Sequence, residues 1–174
     1  MKNGKAEPLS KVYVVDILYI FLYTRREERK VQNMLIKSAT NVRKEWSQTC
    51  DEVVRVRPSF IKRTRDMLFL SSAETLSELL SDHVFSATII REEDGSFTAL
   101  SNEMDLAENA PSKEAAKLAL GRSILDYAEE FYNEYDLYLR APNRKQHLPY
   151  VLKALLISDP KKITESIVCR QQAN

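Results

Sequence analysis

Glycine is almost absent from this chain, with 3 residues among 174, and proline contributes only 6. So few breakers argue against a linker-rich or disordered protein, and no glycine-rich phosphate loop is present. Cysteine and histidine are equally scarce, at two each. Cys50 and Cys169 form no CxxC pair and read as reduced thiols within helical segments of a cytoplasmic protein. His83 and His147 lie far apart in the chain, and neither an HExxH motif nor a nucleophile elbow occurs. Ser, His and Asp residues exist, but no spacing gathers them. The reading is therefore a non-enzyme with no catalytic residues, no metal and no cofactor. Long apolar runs are also missing. The one candidate, VYVVDILYIFLY at 12–23, contains Asp16 and falls short of the roughly 20 residues that span a bilayer. TRREERK comes after it where a signal peptide would place small residues. No membrane contact is expected. Residues 1–33 read as an appended segment, or as one translated from upstream of the true start.

What is present is a packed-core composition, 44% hydrophobic, and a strong charge pattern hidden under a net charge of +1. Residues 34–65 carry 8 basic and 3 acidic side chains, whereas residues 83–137 carry 4 and 12. Such a split suits one surface for a polyanion and another for a basic partner.

MLIKSA, from Met34, alternates as a strand does. Ser38 or Thr40 can cap a following helix in which Val42, Trp46, Thr49/Cys50 and Val53 form an apolar stripe. Arg43, Lys44 and Glu45 fall off that stripe, and Pro58 stops the helix. Phe60-Ile61 and Met67–Leu70 then read as two strands about the tip Arg63-Thr64-Arg65-Asp66. Ser71 and Glu74 form a capping box ahead of a helix lined by Leu76, Leu79 and Leu80. The order is β-α-β-β-α over residues 34–82.

This stretch resembles the Phd/YefM family of antitoxins. The likeness covers residues 34–80 and rests on the opening strand, SATNVRKEWS, the IKRTR hairpin and LSSAETLSELL. The chain departs from the family at the hairpin tip, where Thr64-Arg65-Asp66 stands in place of Gly or Asn-Gly. The resemblance implies a dimerising module that binds operator DNA. It places Arg43, in the N-terminal turn of the first helix, and Arg63 on the DNA, with Lys44, Lys62 and Arg65 in support. Arginine can fork onto phosphate or guanine edges.

Residues 83–137 read as a second module, β-β-(β)-α. VFSATII alternates around Phe85, Ala87 and Ile89, Asp94-Gly95 is a turn, and residues 96–100 return. A third strand near Leu106 is followed by Pro111-Ser112 and a long helix. Its apolar face runs through Ala115/Ala116, Ala119/Leu120, Ile124, Ala128, Phe131 and Tyr135. This part is similar to the HicB family of antitoxins, which carry a partial ribonuclease H-like fold; Gly95, Asn102, Asp105 and Glu114-Ala115 occupy corresponding places. Where that family has a glycine shortly before the helix, this chain has residues 107–110. Glu92, Asp94, Asp105 and Glu108 supply the carboxylates that a two-metal nuclease would need to converge, but the acidic surface is read instead as a contact for a basic toxin.

Residues 138–174 read as a C-terminal helical segment. Pro149 opens one helix, Asp159-Pro160 caps another, and Ile163 with Ile167 faces inward. Tyr150, Lys153 and the basic residues of 140–145 either bind phosphate or pack over the preceding module. The chain as a whole reads as an α+β antitoxin of a type II toxin–antitoxin system, a homodimer that binds operator DNA and neutralises a basic toxin. The competing readings are a stand-alone transcription regulator and a ribonuclease H-like nuclease.

Overall fold

Ser38 sets the first boundary in the computed structural model, which describes residues 36–170. The expectations for residues 1–33, and for Met34 and the residue after it at the start of the opening strand, lie outside the described residues. The Ser38 hydroxyl accepts a hydrogen bond from the Asn41 N–H at 3.2 Å, so strand β1 (Ile36–Ser38) turns directly into helix α1 (Ala39–Lys44). The single helix expected here is broken. Glu45 leaves helical geometry at φ −116°, ψ 35°, and α2 (Trp46–Arg55) restarts after it.

Strands β2 (Ser59–Arg63) and β3 (Asp66–Leu70) form the expected hairpin around a two-residue turn, Thr64-Arg65. The sheet order is β1-β2-β3, with β1 parallel and β3 antiparallel to β2. Ile61 lies opposite Leu68 on one face, and Phe60 lies opposite Phe69 on the other. Val42, Thr49, Val53 and Ile61 are buried, and Lys37 Nζ meets Glu52 Oε2 of α2 at 2.6 Å. Trp46, expected on the buried stripe, is 55% exposed.

The chain divides into two compact units after Ser72, not after residue 82. Helix α3 (Ala73–Leu79) therefore belongs to the second, C-terminal unit. Lys153 shows why: its ammonium donates to the carbonyls of His83 at 2.7 Å, Leu80 at 3.3 Å and Ser81 at 3.4 Å, just past the end of α3. The same ammonium lies over the Phe85 ring, 5.9 Å from its centroid. Lys153 thus packs. Leu80 is buried as expected, but Leu79 is exposed. The helix begins at Ala73, which leaves Ser71 two residues before it rather than at its cap.

The second unit continues with β4 (Ser86–Arg91), β5 (Phe97–Ser101) and β6 (Ala107–Ala110). Gly95 makes the β4–β5 turn at φ 86°, and Asp94 accepts from the Ser96 N–H at 2.9 Å. Ser112 caps the long helix α4 (Lys113–Asn133) through the Ala115 N–H at 3.1 Å. After it come α5 (Tyr135–Arg140), a 3₁₀ turn (Lys145–His147), α6 (Leu148–Ile157) and α7 (Pro160–Ser166), the last capped by Asp159. The C-terminal segment is not helical throughout. Val168–Arg170 forms β7, parallel to β4, so Cys169 lies in a strand and the sheet order is β6-β5-β4-β7. The core joins Phe85, Ala87 and Ala99 of the sheet region to Leu120, Ile124, Ala128 and Phe131 of α4, and to Val151, Ala154 and Ile163 of α6 and α7. Tyr135 is not on the buried face of α4, because that helix ends at Asn133.

Two features of this core give predictions. A Cβ at Gly121 would lie 2.1 Å from Thr164 Oγ1 and 2.9 Å from the Pro160 carbonyl oxygen. Gly121→Ala should therefore lower stability by about 1–3 kcal/mol in urea unfolding, despite alanine's better helix propensity; unchanged stability would mean that α7 can retreat. His147 is buried, with Nδ1 2.7 Å from the Tyr127 hydroxyl. Burial, then the Arg144 charge, holds its pKa below the ordinary value. The unfolded chain thus takes up this proton at higher pH than the fold does. The stability from neutral His147 is complete above about pH 6.5 and is lost as pH falls from there to the folded pKa. Wild type should lose more stability than His147→Gln between about pH 7.5 and 5.5. Equal losses would contradict this.

Candidate nucleic-acid interface

The first unit sorts its cations. Lys37 and Arg57 pair with Glu52, and Arg55 pairs with Asp51. Arg43, Lys44, Lys62, Arg63 and Arg65 have no ion pair among the described residues, and all five are exposed. Asp51 and Glu52 of α2 take the ion pairs. Asp66, in register with Arg63 at the hairpin tip, and Glu45, next to Lys44, make none among the described residues, and the cations of α1 and the tip are left to solvent.

Strand alternation divides the tip cations. Arg63 shares a face with Ile61, the face that α1 and α2 cover, while Lys62 shares the opposite face with Phe60 and Met67. Arg65 sits in the turn. Arg43 lies one turn further along than expected. It is in the last turn of the six-residue α1, not in the N-terminal turn of a longer helix, so the backbone N–H groups of the helix start are not beside it. Its side chain borders an open apolar groove with Ala39, Val42, Trp46, Ile61 and Leu68. Arg43 and Arg63 therefore belong to the helix-covered side of the sheet, Lys62 to the other, and Arg65 to the end between them.

The groove was not expected from the sequence. Leu68 of the edge strand β3 lines it, while Met67 and Phe69 are exposed on the outer face, where the Phe60 and Phe69 rings stand 5.1 Å apart. Three consecutive exposed apolar residues on one strand put apolar surface on both faces, and no alternation marks a buried side.

In the second unit the four carboxylates considered as a nuclease site each have a partner of their own. Glu92 accepts from the Thr98 hydroxyl, and Asp94 from Ser96. The Ser96 bonds hold the Asp94 carboxyl below the usual carboxylate range. Asp105 faces Arg144 at 3.9 Å, and Glu108 accepts from the Ser123 hydroxyl. Among the described residues, no three His, Cys, Asp or Glu side chains gather as metal ligands. Arg144 also covers the Tyr127 ring, with 5.7 Å to its centroid, so this member of the basic 140–145 stretch packs. Sequence reasoning missed a polar network at one end of β4. Glu103 accepts from the Ser86 N–H at 3.0 Å and from its hydroxyl, and Asn102 donates to the same hydroxyl at 2.8 Å.

A family model described as PHD-like, antitoxin of toxin–antitoxin, RelE/RelB, TA system, matches residues 34–169. That single match spans both the stretch that resembles Phd/YefM and the stretch that resembles HicB. A crystal structure of the antitoxin part of a proposed toxin/antitoxin system from Syntrophomonas wolfei subsp. wolfei is 33% identical, covers 78% of this chain and 98% of its own, and superposes with a TM-score of 0.73. No curated relative matches.

The hairpin turn yields a prediction independent of function. Thr64 holds φ at 53°, a left-handed conformation that a β-branched residue adopts only under strain. Thr64→Asn, which relieves that strain and keeps all five cations, should raise unfolding stability by about 0.5–1 kcal/mol. A loss would show that the threonine side chain is needed where it is.

Proposed function

The chain belongs to the PHD-like family of antitoxins of toxin–antitoxin systems, and from that premise we propose that it acts through two separate contacts. A dimer of the first unit holds operator DNA and represses the promoter, and the second unit neutralises a basic toxin by direct protein contact. The resemblances to Phd/YefM over 34–80 and to HicB over 83–137 are part of this reading.

The sorting of cations carries the DNA half. Arg43, Lys44, Lys62, Arg63 and Arg65 sit together on α1 and the hairpin, unpaired among the described residues, while every described acid–base pair of the unit involves α2. Five exposed cations outnumber the two nearby acids, Glu45 and Asp66, so the surface keeps a net attraction for phosphate. Two of the arginines, Arg43 and Arg63, belong to one side of the sheet and can approach a duplex from that side.

Exposed apolar surface supports the dimer. The first unit exposes Trp46, Phe60, Met67, Leu68 and Phe69. A two-fold partner on the β3 side would cover that surface and double the basic one.

Binding of the full chain to its own upstream DNA across a salt series tests the proposal. If all five cations per protomer reach phosphates, log K falls against log salt with a slope of about −4.5 per protomer and about −9 for the dimer. Arg43→Ala and Arg63→Ala should each weaken binding by roughly tenfold or more and make the slope shallower. Binding absent at low salt, or unaltered in both variants, would overturn the DNA half.

A further inference from the structure

The last turn of α4 breaks an electrostatic rule. The C-terminal end of a helix is its negative end, and lysine or arginine normally gathers there. The last turn of α4 contains no basic residue. Glu129 and Glu130 approach that end, Glu134 caps it and Asp136 lies beyond in α5. No lysine or arginine occurs between Arg122 and Arg140. Glu130 is engaged by the Tyr138 hydroxyl at 2.6 Å, but Glu129, Glu134 and Asp136 have no such partner among the described residues.

The same junction exposes apolar surface. α4 leaves the core at Phe131, and Glu134 breaks the helix at φ −105°, ψ 37°. All six residues from 132 to 137 are exposed, including Tyr132 at 58% and Leu137 at 67%. The Tyr132 and Tyr135 rings stand 6.3 Å apart, and Tyr135 leans on Phe131 at 6.2 Å, so the outer rings are positioned by the core beneath. Aromatic side chains held firmly at the surface, with a charged rim, are what protein interfaces use as anchors. Glu129 lies near the negative end of α4, whereas Glu134 and Asp136 stand at the start of α5, where acids are favourable. Together with the exposed rings they suit one occupant, a protein surface that places lysine or arginine around an apolar recess.

We infer that the α4–α5 junction, with Tyr132, Tyr135 and Leu137 inside a rim of Glu129, Glu134 and Asp136, is where the second unit docks a basic toxin. This rests on the antitoxin reading above and names the surface that reading leaves open. The acids steer the encounter, and the aromatic and leucine side chains hold the complex once water is expelled.

The test uses the full-length protein and, as the probe, the purified product of the gene beside the one that encodes this chain. Two variants are compared with wild type by calorimetric binding and thermal unfolding. The first is the triple Glu129→Lys, Glu134→Lys, Asp136→Lys. The second is the double Tyr132→Ala, Leu137→Ala, which spares Tyr135 and its contact with Phe131. The charge triple should shift the unfolding midpoint little, because the gain at the end of α4 is offset at the start of α5, and yet bind the probe at least tenfold more weakly with a slower association rate. The double variant should bind roughly thirtyfold more weakly or worse, with little change in its unfolding midpoint. Wild-type binding that both variants retain would overturn this surface and leave the antitoxin reading standing. A probe that fails to bind wild type would overturn the toxin-contact half of that reading, and this inference with it.

Discussion

The second unit depends on α4 being gripped from two sides. Its buried stripe, from Ala116 to Phe131, faces the sheet with one flank and α6 and α7 with the other. Gly121 allows this, since α7 comes so close that no side chain fits between Thr164 and the α4 backbone. Other features depend on that grip. α6 must run where Lys153 reaches the carbonyls after α3, which draws α3 into this unit. α7 must end where the chain can turn back and add β7 beside β4. Beyond Phe131, Tyr135 and Tyr138 still lean on the core, while Tyr132 and Leu137 are exposed.

The first unit is built differently. Among its described residues the buried apolar ones are Val42, Val53 and Ile61, each contributing roughly 1.5–3 kcal/mol, and its edge strand presents apolar side chains to water. Ionic ties, Lys37–Glu52 and Arg57–Glu52, brace α2, but partly exposed pairs of this kind add little. In the proposed mechanism, a second copy and a polyanion that neutralises the exposed cations both stabilise this unit, while the second unit is held by its own core. That difference lets one unit respond to its surroundings while the other remains a fixed platform.

Elements announced by local chemistry were legible in the sequence. The Asp94-Gly95 hairpin, the Ser112 cap of α4 and the Asp159-Pro160 start of α7 rest on turn or cap residues, and the Phe60/Met67 strands on two short apolar runs about a charged tip. What was not legible is tertiary. Glu45 breaks a helix without a glycine or proline to mark it. β7 is three residues long and exists because β4 offers an edge. The close approach at Gly121 has no signature beyond a glycine in a helix. The five cations were legible as a group, since charge is read directly from the chain. Their distribution over two sides of the hairpin, and Arg43's place at the end of α1 beside an apolar groove, depended on the break at Glu45 and on strand register.

The central claim is that DNA and toxin engage different units of one chain. Hydrogen–deuterium exchange of the full-length protein, with operator DNA alone and with toxin alone, addresses it most directly. The account predicts that DNA slows exchange within 36–72 and leaves 129–140 unchanged, while toxin slows exchange at 129–140 and leaves the hairpin unchanged. Protection by DNA centred on the second unit, or by toxin centred on the hairpin, would contradict it.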